Sequence, residues 1–169
     1  FSNCIFNDTG LTLCNGVFNA NQSVFNNSSI SIAGNATLHD VDINALYIRK
    51  GVKTAIAGNI IADRLSLLNY SILTLDGNIT VRSITPLESG AIGLLDGNGH
   101  TVTLDLTEAT TATSPHIESL LKNIQLSFII NKNQKQGVYC ISNSLHEFGS
   151  GDFSGIWNPD TNIWEYKDE

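Results

Sequence analysis

The sequence predicts an all-β protein, a parallel β-helix coiled at about 20 residues per rung with a C-terminal capping or assembly hairpin. Three observations carry this expectation. Gly16, Gly34, Gly58, Gly77 and Gly97 are spaced 18, 24, 19 and 20 residues apart, and the last four are each followed by Asn. Apolar residues alternate in brief bursts: Ile30 and Ile32, Val41 and Ile43, Leu46 and Ile48, Leu65 and Leu67, Leu73 and Leu75, Ile79 and Val81, then Val102, Leu104 and Leu106. A period of two places each burst on one face of a strand. About three such bursts fit one period, which is the arithmetic of a three-sided coil whose rungs pair in parallel about 4.8 Å apart. An antiparallel β-sandwich or jelly roll also has short strands and frequent turns. It does not require the same dipeptide at each period, so the recurring Gly-Asn favours the coil.

Each stretch fits this frame in turn. Over residues 1–32 apolar pairs recur at Ile5-Phe6, Val17-Phe18 and Val24-Phe25, with Asn, Asp, Ser and Gly between them. Strands this short do not make hairpins of ordinary length. From Ile30 to Leu106 the alternation is strict, and Gly-Asn is expected at bends that need a positive φ. At Thr107 a small polar run to Ser114 reads as an excursion. Ser114-Pro115-His116-Ile117-Glu118, ending at Lys122, has the cap, first-turn proline and late cation of one or two helical turns. Ile124–Ile130 then reads as a strand, and strand character resumes after the polar turn at 131–137.

Residues 149–169 differ in kind and form a second unit beside a β-helix domain over 1–148. Gly155-Ile-Trp-Asn-Pro-Asp-Thr-Asn-Ile-Trp-Glu-Tyr166 reads as a hairpin turning at Pro159, with Trp157 and Trp164 on its two arms. The last rung of a solenoid exposes unpaired edge groups, and a capping hairpin or an oligomer-forming tail covers them.

Composition narrows the function classes. The net charge is −7 with nine Lys and Arg, scattered singly, which disfavours nucleic acid and anionic membrane surfaces as partners. No run reaches the roughly 20 apolar residues of a membrane helix, so no membrane insertion is expected. The chain begins at Phe1 and contains no Met, the expected mark of a mature or excised piece of a longer product. The 19 Asn and 30 Ser or Thr suit turns and side-chain hydrogen-bond ladders, and they create seven Asn-X-Ser/Thr sequons, from Asn7 to Asn78. Cys4 and Cys14 lie close enough in sequence to bridge across a turn, but read more simply as small buried apolar residues.

Few residues suggest chemistry. Asp76 and Asp96 precede Gly-Asn in consecutive repeats, so a coil would bring them one rung apart, as a paired-carboxylate or calcium site requires. The same phase holds Ala33 and Ala57 upstream, and Asp is a preferred Asx-turn residue, so turn formation is the favoured reading. His100 between Asp96 and Asp105 has no companion nucleophile motif and reads as a surface residue, while His39, His116 and His146 lack metal-ligand spacing. Trp157, Trp164 and Tyr166 are candidate sugar-stacking residues, although a cap or subunit interface accounts for them better. No cofactor or metal is expected.

The repeated Gly-Asn, together with Asn-Cys-Ile-Phe and Ser-Val-Phe-Asn-Asn-Ser, resembles the pattern of right-handed parallel β-helix proteins, which include pectate-lyase-like enzymes, phage tailspikes, viral fibres and autotransporter passengers. The resemblance covers about residues 1–106 and rests on no motif diagnostic of one family. The pectate-lyase-like branch implies clustered acids with Arg or Lys on one face, whereas Arg49, Arg64 and Arg82 do not adjoin acid clusters in sequence, so no catalytic residue carries over. The tailspike and fibre branch implies a homo-oligomer, a trimer, assembled through a C-terminal region such as the Trp-bearing tail. The expected function is that of a non-enzymatic β-helical segment of a larger protein exposed outside the cell or on a virion or cell surface. Its roles would be attachment, display or assembly, with a glycan or host receptor as ligand. A carbohydrate-active enzyme or lectin-like binder is the alternative.

Overall fold

The computed structural model describes residues 3–20, 23–85, 93–108, 117, 119–129, 137–142, 153–158 and 163–168. Its main body is a parallel β-solenoid of about five turns. Ten strands build it: β1 (Ile5–Asn7), β2 (Gly10–Asn19), β3 (Val24–Ile48), β4 (Lys53–Leu67), β5 (Ile72–Asp76), β6 (Ile79–Ile84), β7 (Leu94–Asp96), β8 (Thr101–Asp105), β9 (Leu120–Lys122) and β10 (Gln125–Ile129). β3 and β4 are too long for flat strands and bend around successive corners. Thus the start of β3 pairs with β1, its middle with β2 and its end with β4.

Three faces follow from the register. On the first, Val41, Ile60, Ile79, Val102 and Leu126 stack one above another. On the second, Leu46, Leu65 and Ile84 stack, as do Leu11 and Ile30 below them. On the third, Phe18, Leu38, Ile56 and Leu75 form one column and Leu73, Leu95 and Leu121 another. These are the alternating residues of the sequence; those from Ile30 to Leu121 are buried, and Leu126 is partly buried. Parallel stacking sets like side chains directly over one another, so a dry interior forms without long-range hairpins. At the first rung Phe6 stacks on Phe25 with ring centroids 4.5 Å apart.

The rung length is about 19 residues, with Ile5 over Val24 and Ile60 over Ile79. It grows later: Val102 lies over Ile79 and Leu121 over Leu95, so 23 and 26 residues separate stacked positions there.

Positive φ falls mainly on Asx residues: Asp8, Asn27, Asp40, Asn98 and Asn123 all lie between 46° and 51° or at 50° within that range. The expectation that Gly-Asn marks left-handed bends at one phase therefore holds only in part. Gly58 has φ +72°, but Gly77 has no positive φ; a Cβ on Gly77 would sit 2.1 Å from the Gly58 carbonyl oxygen. Gly34 lies inside β3, where a Cβ would come 2.2 Å from the Cys14 carbonyl oxygen, at a register irregularity between Leu13 and Asn15. Contact between rung backbones, more than φ, selects those two glycines.

The expected side-chain ladders are present at the corner between the first two faces. Asn26 Nδ2 donates to Asn7 Oδ1 at 3.0 Å, Asn27 Nδ2 to Asp8 Oδ1 at 2.6 Å, and Asn44 Nδ2 to Asp63 Oδ2 at 3.0 Å. The buried Ser28 hydroxyl beneath them accepts from the Thr9 amide and donates to the Asn26 carbonyl. Each rung thus satisfies polar groups of its neighbour.

Two local expectations fail. Ile117 forms a parallel bridge with Ile84, and Leu120–Lys122 is a strand, so no helix runs to Lys122. Stacking on the rung below outweighs the local capping signals; residues 114–116 and 118 lie outside the described set. Cys4 and Cys14 are not bridged, and Cys14 is exposed rather than buried. Next to β10 in sequence, a separate three-stranded antiparallel sheet forms from β11 (Gly137–Ser142), β12 (Phe153–Asn158) and β13 (Ile163–Asp168). β12 and β13 are the expected hairpin, with Trp157 opposite Trp164.

Candidate functional site

The two acids singled out in the sequence are separated by the register. Asp76 lies opposite Ala57, whereas Asp96 lies opposite Thr74 below and Lys122 above. The longer rung between β5 and β7 shifts Asp96 two positions along the strand relative to Asp76. Asp96 Oδ2 pairs with Lys122 Nζ at 2.9 Å, and its Oδ1 accepts from Asn123 Nδ2 and from the Asn98 amide, each at 3.2 Å. The bond to Asn98 is an Asx turn. The Lys122 ammonium, aided by those two donors and opposed by partial burial, holds the Asp96 carboxyl below its ordinary value. Both oxygens of this carboxylate thus serve the corner.

His100 sits half-buried at the same corner, its amide donating to the Gly97 carbonyl and its carbonyl accepting from Gln125. Asp105 faces elsewhere: its Oδ1 accepts from the amide and hydroxyl of Thr107, and its Oδ2 lies 3.7 Å from Arg82 Nε. His39 is stacked between Asn19 and Ala57 on the third face. His116 and His146 lie outside the described residues. In the tail, Trp157 pairs with Trp164 and Gly155 with Tyr166 across the antiparallel sheet.

The coil also joins residues that are far apart in sequence. Arg82 extends the corner ladder: its Nε is 3.5 Å from Asp63 Oδ1, and its Nη1 is 2.9 Å from Glu108 Oε2. Reading neighbours along the chain left Arg82 without acids, yet three carboxylates, Asp63 from the rung below and Asp105 and Glu108 from the rung above, surround it. They balance its charge and fasten the corner. Among the described residues no group of three or more His, Cys, Asp and Glu side chains is placed to hold a metal ion.

The feature that sequence reasoning missed is a cleft of about 440 Å³ on the outer side of the second face. Four successive rungs supply its walls: Gly10, Leu11 and Thr12; Ser29 and Ser31; Tyr47 and Arg49; and Leu68. Alternation explains the lining. Leu11, Ile30, Ile32, Leu46 and Ile48 point inward, so Thr12, Ser29, Ser31 and Tyr47 occupy outward positions. Small residues on the first two rungs leave a low floor, and the larger Tyr47 and Arg49 rise beside it. Arg49 is exposed, and its Nε donates to Ser31 Oγ at 2.9 Å. Its only signal in the sequence was the small-polar alternation of Gly10, Thr12, Ser29 and Ser31 against apolar neighbours, which means nothing until the rungs are stacked.

No family model, no curated protein and no solved structure matches this chain.

Proposed function

We propose that the chain is a non-enzymatic β-helical segment of a larger surface-exposed protein, of the viral fibre or spike or secreted bacterial surface type, that serves in attachment. The observation that carries this reading is the outer cleft, built by outward side chains of four stacked rungs on a rigid parallel coil. Stacked rungs hold such a surface at fixed spacing with little entropy left to lose on binding. Of the two acids most suggestive of chemistry, Asp96 is committed to a turn and an ion pair, which favours the same reading. The ligand in this reading is a glycan or a host receptor, and the working unit is a homo-oligomer, a trimer, joined through the Trp-bearing tail.

The test combines solution mass with surface binding. A trimer by sedimentation that adheres to a glycan array or host-cell surface, without altering what it binds, is the expected result. Release of oligosaccharides from a polysaccharide panel, lost in Asp76→Asn or Asp96→Asn, would replace this reading with the carbohydrate-active one.

A further inference from the structure

We propose that the cleft over the second face binds an organic carboxylate, with Arg49 as its anchor. This deepens the attachment reading, on which it rests for its biological use, by naming the ligand chemistry of the cleft.

Charge comes first. The protein carries −7, yet among the described residues none of the eight lining the cleft is acidic and Arg49 is the one charged group there. Among the described residues the ion pairs belong to Arg82 and Lys122, and Arg49 has no carboxylate within reach. A guanidinium with no counterion among the described residues, on an acidic protein, is a local attractor for a single negative charge.

Geometry selects the kind of anion. The bond from Arg49 Nε to Ser31 Oγ occupies the inner edge of the guanidinium and fixes its plane. The two terminal amino groups remain as a planar fork, which matches the two oxygens of a carboxylate. Holding the fork in advance reduces the rotamer entropy lost on binding. A phosphate dianion is met by several cations or by a nest of backbone amides, whereas Arg49 is the one cation among the described lining residues.

The remaining walls suit a small organic body attached to that carboxylate. Tyr47 and Leu68 offer apolar surface, while the hydroxyls of Thr12, Ser29 and Ser31 offer hydrogen bonds. The volume, about 440 Å³, falls among small-molecule sites. A sugar acid and a free peptide terminus present the same carboxylate, and the experiment separates them.

The test is an NMR titration of the whole chain at constant ionic strength, following the Arg Nε–Hε signals and the Ser31 amide. Probes are sodium glucuronate and N-acetylglycine, with glucose, N-acetylglycinamide and inorganic phosphate beside them. The expected result is a saturable shift at Arg49, absent at Arg64, with a carboxylate probe and not with its neutral counterpart. Response to glucuronate alone assigns the sugar-acid source, and response to N-acetylglycine alone the peptide source. Arg49→Lys should weaken binding about tenfold, because an ammonium cannot form the fork. Ser31→Ala should weaken it by a smaller factor with the circular dichroism spectrum unchanged. No saturable shift, equal shifts with glucose or phosphate, or unchanged affinity in Arg49→Lys would overturn the assignment. Attachment to a surface that persists in Arg49→Lys refutes this site and leaves the attachment reading standing. Carboxylate binding without attachment refutes the attachment reading alone.

Discussion

Gly77→Ala isolates the contact that holds the rungs at their spacing. The new Cβ would lie 2.1 Å from the Gly58 carbonyl oxygen and 2.7 Å from the Gly58 nitrogen, where real Cβ atoms keep at least 3.0 Å. Both obstructing atoms are backbone, so no side chain can swing aside, and the rungs must part by about 1 Å at that corner. The hydrogen bond from the Ile60 amide to the Asn78 carbonyl, 3.2 Å long, lies one residue away and would stretch further. Overpacking of this kind costs about 3 kcal/mol, and the smaller unfolded-state entropy of Ala returns about 0.5 kcal/mol. The net loss of about 2.5 kcal/mol corresponds to a fall in Tm of about 5–10 °C for a chain of this length. Gly99→Ala is the control, since Gly99 has φ +82° and open space around its Cβ position. It carries only the left-handed penalty of about 1 kcal/mol, again partly returned, so its Tm should fall by about 1–3 °C. Thermal unfolding followed by circular dichroism, with a urea titration beside it, reads both. A Gly77→Ala protein that melts with the wild type, or a Gly99→Ala protein that suffers more, would refute the argument that backbone contact selects Gly77.

Three further outcomes follow from the described geometry. Asp96 has its folded pKa below the unfolded value of 3.8, so its contribution to stability is present above that pH and is lost as pH falls through the folded pKa. Lys122→Ala should raise the Asp96 pKa in a carboxyl NMR titration, and an unmoved value would show that the ammonium is not the cause. Arg82→Ala removes contacts to Asp63, Asp105 and Glu108, but the Arg82 side chain is 42% exposed, so the cost should stay below about 1 kcal/mol and shrink with added salt; a salt-independent loss several times larger would contradict this. Deleting residues 150–169 removes β12 and β13 and leaves β11 without its partner strand. Lower stability or a changed solution mass is expected, and unchanged melting with unchanged mass would refute a capping or assembly role for the tail.

The rung period, the alternating interior and the terminal hairpin were legible in the chain because each depends on local spacing. A period of two identifies the buried columns, and Ile-Trp arms around Asn-Pro-Asp mark a turn whatever lies beside them. Capping residues before Ile117 were legible too, yet misleading, because the stacked partner Ile84 offered that segment a strand bridge. Local preferences of a few tenths of a kcal/mol per residue yield to such a partner.

What the sequence by itself determined is which residues face inward on each short strand, since alternation needs no knowledge of neighbours. What only the tertiary structure decided is which outward residues meet. Asp76 and Asp96 share a motif but not a register position, because the rung between their strands is longer than the 20 residues that separate them. Arg82 gains three acids, and Arg49 finds Ser31, only when the rungs are laid over each other. The physical reason is that a solenoid converts sequence distance into lateral contact through its rung length, and a two-residue change in that length exchanges every outward neighbour.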